Sequence, residues 1–301
     1  MRIFGKRRFG ALAFVVLVLA WGSTFSVVKV GLDHAPPVLF VGGRVLLAGV
    51  VVTAAALVWG GAPKLGRDWP VFAFLAAFNV ALFVGFQTFA ILYLPSGTAA
   101  VLIYLQPILV GVFAWAALGE PLTRTKVFGL FLGFAGIVAV SSAGLFSASG
   151  AVSPVGVACG VLSALCWALG TVGFKKHEAR VSTLWAIALP FLAGGIALTG
   201  LGLLLEEPAE ISWTAPLVLS VLYSALIGTG LAWLLFLTLV RAGEASRVAS
   251  YIFVVPIAAV VIGTVFLNET VGPRFLLGAA LVVLGIYLVN RAPRTTNRAS
   301  A

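Results

Sequence analysis

What this chain has least of is charge. Only 9% of its 301 residues are Asp, Glu, Lys or Arg, against 61% hydrophobic ones, and its mean hydropathy is +1.15. A soluble domain carries about 25% charged residues. The polar cover for a water-facing surface is missing, so the chain reads as an all-α integral membrane protein. Cysteine is nearly absent too. Cys159 and Cys166 sit seven residues apart in one apolar run, roughly 10 Å of helical rise, too far for a disulfide. With two His and neither an HExxH nor a CxxC pattern, no metal site and no cofactor are expected. No nucleophile and base stand in a catalytic spacing, which argues against an enzyme. The formal net charge of +10 comes without a nucleic-acid-binding motif. The basic residues gather in loops and termini, where they report membrane orientation instead.

What is abundant is apolar sequence. A membrane span needs about 20 apolar residues, and ten runs qualify: 9–30, 36–59, 70–93, 97–118, 126–146, 154–174, 182–205, 214–240, 245–267 and 272–290. Turn and charge signals separate them, such as Asp33-His34-Ala35-Pro36-Pro37, Gly119-Glu120-Pro121 and Glu206-Glu207-Pro208. The basic stretch Met1–Phe9 precedes a long run without a small-residue cleavage site, so that run is read as a retained first span. If the N-terminus is inside, the inner segments hold Arg2, Lys6, Arg7, Arg8, Lys64, Arg67, Arg124, Lys126, Lys175, Lys176, Arg180, Arg241, Arg247, Arg291, Arg294 and Arg298, sixteen of the nineteen Lys and Arg. The positive-inside rule then predicts a multi-pass protein of the cell membrane with both termini cytoplasmic.

The two halves echo each other. Gly10 matches Gly156, Trp21 matches Trp167 and Lys29 matches Lys175 at an offset of 146. Pro107 matches Pro256, Glu120 matches Glu269, Gly129 matches Gly278 and Gly136 matches Gly285 at 149. We expect two five-span repeats, 1–150 and 151–301. An odd number of spans in each turns the second half upside down. Inverted repeats are an architecture of alternating-access transporters, with the substrate near the midplane.

Several short runs sharpen this expectation. They are Trp21-Gly22-Ser23-Thr24-Phe25, Arg44-Val45-Leu46-Leu47-Ala48, Tyr104-Leu105-Gln106-Pro107-Ile108-Leu109, Leu118-Gly119-Glu120-Pro121-Leu122 and Leu267-Asn268-Glu269. In that order, over nearly the whole chain, they resemble the drug/metabolite transporter superfamily and its EamA-type exporters. The resemblance implies export of small metabolites, with amino acids a prominent class. One departure stands out: Val255 precedes the second-half proline where Gln106 precedes the first.

Candidate site residues follow from what lipid does not tolerate. Trp21 and Trp167 fall near mid-span, away from the interfaces where lipid-facing Trp belongs. They either flank a substrate or pack between helices and specify the core. Thr24 and Thr171 follow them on the same faces. Asn79, Phe83, Phe86 and Gln87 make one helical stripe of amides and aromatics. Tyr104 and Gln106, Tyr223 and Trp233, and Ser250 and Tyr251 are the facing candidates. Arg44 lies roughly 12 Å into span two and must face protein or water. It contacts a carboxylate-bearing substrate, or binds helix carbonyls or Asp33. Lys29 and Lys175 stand at opposite mouths, as solute attractors or snorkelling interfacial lysines. Pro107 and Pro256 break helix hydrogen bonds in mid-span, as hinges or static bends.

No acid falls deep inside a span: Glu120, Glu269, Glu244 and Asp33 are all at ends. Proton-coupled carriers use an intramembrane carboxylate or His, so facilitated export or exchange is the simpler mechanism. The expected substrate is a small neutral amphipathic metabolite, an aromatic or larger apolar amino acid above all. A carrier of sugars or phosphorylated metabolites would want more buried cations than Arg44. The lipid bilayer and the substrate are the implied partners; a monomer suffices. The topology is checked with alkaline phosphatase fusions. Fusion at Ala301 should be inactive and fusion after Pro208 active, and the reverse would overturn the orientation.

Overall fold

The computed structural model describes residues 2–63, 65–94, 96–145, 153–267 and 273–291. Lys64, Pro95, Asn268 and Glu269 lie outside the described residues. Ten helical spans long and apolar enough to cross a membrane are present, as expected. Five are single helices: Arg2–Leu32, Pro37–Trp59, Arg124–Leu145, Pro154–His177 and Trp185–Leu205, the first, second, fifth, sixth and seventh spans. The tenth, Pro273–Arg291, is also unbroken. Lipid offers no water to an unpaired peptide group, so the backbone bonds itself within each helix.

The other four spans are irregular, in matching ways. Spans three and eight each open into a π-helical turn, Ala76–Ala81 and Ser224–Leu231. There the Leu82 N–H reaches back five residues to the Ala77 carbonyl, and the Ala232 N–H to that of Ile227. Spans four and nine break just before their prolines. Helix Ser96–Ile103 stops, and Gln106–Leu118 resumes; Ala245–Tyr251 stops, and Val254–Leu267 resumes. A proline ring clashes with the carbonyl four residues back, which is Ile103 for Pro107 and Ile252 for Pro256. Three-residue bonds take over at both places: Leu105 N–H to Leu102 and Ile108 N–H to Leu105, then Ile252 N–H to Ala249 and Val255 N–H to Ile252. The structure thus places Pro107 and Pro256 at real breaks.

Glycine sets the two closest crossings. Span five lies on span ten, where a methyl on Gly285 would stand 2.5 Å from the Gly133 nitrogen and one on Gly136 would stand 2.6 Å from the Gly278 carbonyl oxygen. Span two lies on span seven, where a methyl on Gly49 would stand 2.6 Å from the Leu192 nitrogen and one on Gly195 2.6 Å from the Leu46 Cα. Apolar surface alone does not drive helices together in lipid; close van der Waals approach does, and small residues permit it.

Charge divides the two ends of the bundle. One end gathers Lys126, Lys175, Arg180, Arg241 and Arg247 in a network of ion pairs and carbonyl bonds with Asp68, Glu120, Glu178 and Glu244. At the other, the Glu206 carboxylate accepts from the N–H groups of Val38 at 2.9 Å and Leu39 at 2.7 Å, capping the start of span two. The seam between spans five and ten is the simplest to test. Gly285→Leu forces side chain into backbone and is expected to cost at least about 1–3 kcal/mol, read as a lower thermal midpoint in detergent. Gly200→Leu, where nothing lies within 4 Å, should leave it unchanged. Equal midpoints for both variants would refute the seam.

Candidate functional site

Where spans one, three, six and eight meet, their aromatic residues converge. Trp21 sits edge-on to Trp167 with ring centroids 5.7 Å apart, and edge-on to Trp233 at 6.2 Å. Phe83 stacks on Trp167 at 4.8 Å. Phe236 touches all three tryptophans at 5.5, 6.2 and 5.8 Å. Phe191 of span seven closes the far side of Trp233 at 5.4 Å. Edge-to-face and offset contacts in this range are favourable for rings. Trp167, Trp233, Phe83 and Phe236 are buried and Trp21 half-buried. The rings themselves fill the centre in this conformation.

The bond pattern around the rings is uneven. The π turn of span eight frees a carbonyl, and the Trp21 indole donates to it, Nε1 to the Gly228 oxygen at 3.1 Å. The Trp167 indole Nε1 is buried without a hydrogen-bond partner. Asn79, in the π turn of span three, is 2% exposed, and its Oδ1 also lacks a partner. Asn79 packs its amide against Gly170, which has no side chain to obstruct it. In the crossing of spans one and eight Thr24 packs on Gly228. The Thr24 and Thr171 hydroxyls donate to the carbonyls of Ala20 and Trp167 in their own helices.

The other predicted residues are more scattered. Tyr223 is half-buried and shares a 2.8 Å hydrogen bond with Ser23, beside the cluster on spans one and eight. Gln87 and Phe86 are half-buried one turn beyond Phe83. Tyr104 is buried at the break of span four, and Gln106 beside it is fully buried with neither amide atom paired. Tyr251 is not part of the ring cluster. Its hydroxyl donates to Asn290 Oδ1 at 2.9 Å and its ring packs on Phe14. Arg44 is half-buried, and its Nε has no partner, neither a helix carbonyl nor Asp33. Lys29 is exposed at the end of span one. Lys175 is not free: it pairs with Glu178 at 2.9 Å and donates to the Arg241 carbonyl.

Two features were not singled out from sequence. Phe236 and Phe191 complete the cluster; Phe236 stands one turn after Trp233, which is a signal, whereas Phe191 carries none. The second is a buried charge network at the basic end. The Glu120 carboxylate accepts from the N–H groups of Ala245 at 2.5 Å and Ser246 at 3.2 Å and from the Ser246 hydroxyl. It thereby caps the first helix of span nine. Lys126, 1% exposed, stands 3.7 Å from Glu120 and 3.1 Å from Glu244. Arg247 donates to Glu244 at 2.8 Å and to the Asn290 carbonyl at 2.6 Å. Two acids and two bases thus tie the link between spans four and five to spans nine and ten. Burial alone pushes Glu244 up, but the hydrogen bonds from Arg247 and Lys126 outweigh it and hold the carboxyl below its ordinary value. A hollow of ≈ 440 Å³ lined by Glu178–Ser182 and Arg241 opens at the same end.

The EamA-like transporter family matches the chain twice, over residues 8–142 and 154–291. The "Uncharacterized transporter YvbV" of Bacillus subtilis is 39% identical over 290 residues, covering 96% of this chain and 94% of that one. A "Probable amino-acid metabolite efflux pump" of Salmonella typhimurium is 30% identical over 299 residues, covering 94% and 95%. A solved structure titled only "Crystal structure of protein" shares the fold with a TM-score of 0.81 at 21% identity, covering 93% of this chain and 96% of that chain.

The charge network makes a pH prediction. Glu244 titrates lower when folded than unfolded, so its contribution to stability is present above the ordinary value of 4.5 and lost as pH falls through the folded value. The thermal midpoint in detergent should fall between about pH 5.5 and 3.5, and less steeply for Glu244→Gln. Identical slopes would show that the pair does not contribute.

Proposed function

We propose that this chain, which belongs to the EamA-like transporter family, exports small neutral amphipathic metabolites across the cell membrane, with aromatic and larger apolar amino acids as the best substrates. The observation that carries the reading is the convergence of Trp21, Phe83, Trp167, Trp233 and Phe236 from four spans on one buried point. Such rings offer an apolar solute a surface inside the membrane. The relatives named as amino-acid metabolite efflux pumps in Salmonella typhimurium and Escherichia coli, at 30% and 27% identity, support the substrate class.

The two halves, 1–150 and 151–301, act as five-span repeats of opposite orientation. The double family match and the paired irregularities in spans three and eight and in spans four and nine support this. Both termini face the cytoplasm, in line with the basic end of the bundle. Transport proceeds by rocking of the pairs three–four and eight–nine about the aromatic centre. The π turns and the proline breaks are where those spans bend most cheaply, because their four-residue bonding is already interrupted. The Glu120–Lys126–Glu244–Arg247 network holds the cytoplasmic mouth shut while it is formed. With no acid deep in a span, the solute moves down its gradient or by exchange.

Flux into liposomes tests this. The purified protein should move labelled L-phenylalanine and L-leucine faster than glucose 6-phosphate. Trp21→Ala, Asn79→Ala and Trp167→Ala should each cut the rate about tenfold or more, while the protein stays monodisperse in detergent. Failure to move any of a broad metabolite panel would end the exporter reading. Wild-type rates in all three variants would end the assignment of the site.

A further inference from the structure

The two crossings at the centre are built alike yet finished differently. In the crossing of spans one and eight the polar groups of Trp21, Ser23, Thr24, Ser220 and Tyr223 have partners. Trp21 Nε1 donates to the Gly228 carbonyl, Thr24 to Ala20, Ser220 to Val27, and Ser23 pairs with Tyr223. In the crossing of spans three and six, Trp167 Nε1 and Asn79 Oδ1 are both buried and unpaired. At an offset of 149, Asn79 corresponds to Gly228 and the unpaired Gln106 to Val255. Asn79 and Gln106 of the first half therefore carry open polar atoms where the second half has glycine and valine, while in the tryptophan pair Trp167 of the second half is open and Trp21 of the first is satisfied.

An unpaired buried donor or acceptor costs about 1–3 kcal/mol, and a lone one is a candidate for strain or for function. Here a donor and an acceptor stand together. Asn79 rests on Gly170, and Phe83, one turn further on, stacks on Trp167. The two residues thus stand on neighbouring turns of one crossing, roughly 5 Å of helical rise apart. Two hydrogen bonds of about 2.9 Å then suit a ligand whose donor and acceptor sit on one carbon.

We infer that Asn79 and Trp167 form the polar half of the central site, with Asn79 Oδ1 accepting from an ammonium group and Trp167 Nε1 donating to the adjacent carboxylate. The side chain of the ligand lies against Trp21, whose indole is already bonded to Gly228, and against Trp233. A free α-amino acid satisfies both ends; an amine or an acid alone satisfies one. The inference rests on the proposed amino-acid export, and gives its site a direction that the pseudo-symmetric framework lacks.

Calorimetry on the whole chain in detergent tests it with L-phenylalanine, 3-phenylpropanoate, which lacks the amine, and 2-phenylethylamine, which lacks the carboxylate. Wild type should bind L-phenylalanine at least tenfold tighter than either. Asn79→Leu should erase the preference over 3-phenylpropanoate and keep that over 2-phenylethylamine; Asn79→Ala serves if the leucine variant does not fold. Trp167→Phe, which keeps an aromatic ring beside Phe83, should do the reverse. Because Asn79 Oδ1 makes no bond here, the ligand-free thermal midpoint of Asn79→Leu should hold or rise. Ser220→Ala, which breaks the bond to the Val27 carbonyl away from the rings, should lower the midpoint and leave both preferences in place. Preferences that survive both variants overturn the inference alone, as does a uniform loss of affinity with a falling midpoint. If wild type binds none of the three, the amino-acid reading falls with it.

Discussion

A peptide group in hydrocarbon must find its hydrogen bond within the protein, and every feature of this bundle answers to that. Six spans meet it by being unbroken helices. Four interrupt the helix, and three of the interruptions have replacement bonds. The three-residue bonds around Leu105 and Ile252 take over where the proline rings forbid the regular ones. The carbonyl freed in the π turn of span eight is taken by the Trp21 indole. Irregular backbone at membrane depth is tolerated only where protein or a cavity covers it, so these four spans belong inside the bundle rather than against lipid.

The same constraint explains where side-chain chemistry sits. Charge concentrates at the ends, where Glu120 and Glu206 use carboxylates to cap the exposed N–H groups of spans nine and two. Removing one member of the Glu120, Lys126, Glu244 and Arg247 set would strand a buried charge, which costs more than the pair is worth when intact. Inside the membrane the polar groups are amides, hydroxyls and indoles, and most are bonded to backbone. Among the described residues the buried exceptions are Arg44, Thr53 and Thr199 in spans two and seven, and Asn79, Gln106 and Trp167 in spans three, four and six.

Much of this was legible from the sequence. The ten spans followed from run length alone, and the tryptophans at 21 and 167 stood out because Gly, Ser and Thr surround them. Asn79 and Phe83 were assigned inward, and the structure buries both. The stripe thins beyond them, since Gln87 and Phe86 end half-buried past the π turn. Tyr251 had the same credentials as Tyr223, yet it bonds Asn290 and leaves the cluster. Phe191 carried no signal, because one Phe in an apolar helix is like the next. Lys126 was placed with the basic loops, whereas in fact it is 1% exposed between two acids.

Membrane class, number of spans, position of breaks and the inventory of polar residues were determined by the sequence itself. Each is a local property, summed over about 20 residues of hydropathy or set by one proline and its carbonyl four places back. The tertiary structure alone decided which polar groups find partners. Trp21 and Trp167 have the same chemistry and sit in similar runs, but only one faces a freed carbonyl, and that depends on a turn more than 200 residues away. Pairing across such distances is fixed by how closely glycines let the helices approach, which no single stretch of sequence encodes.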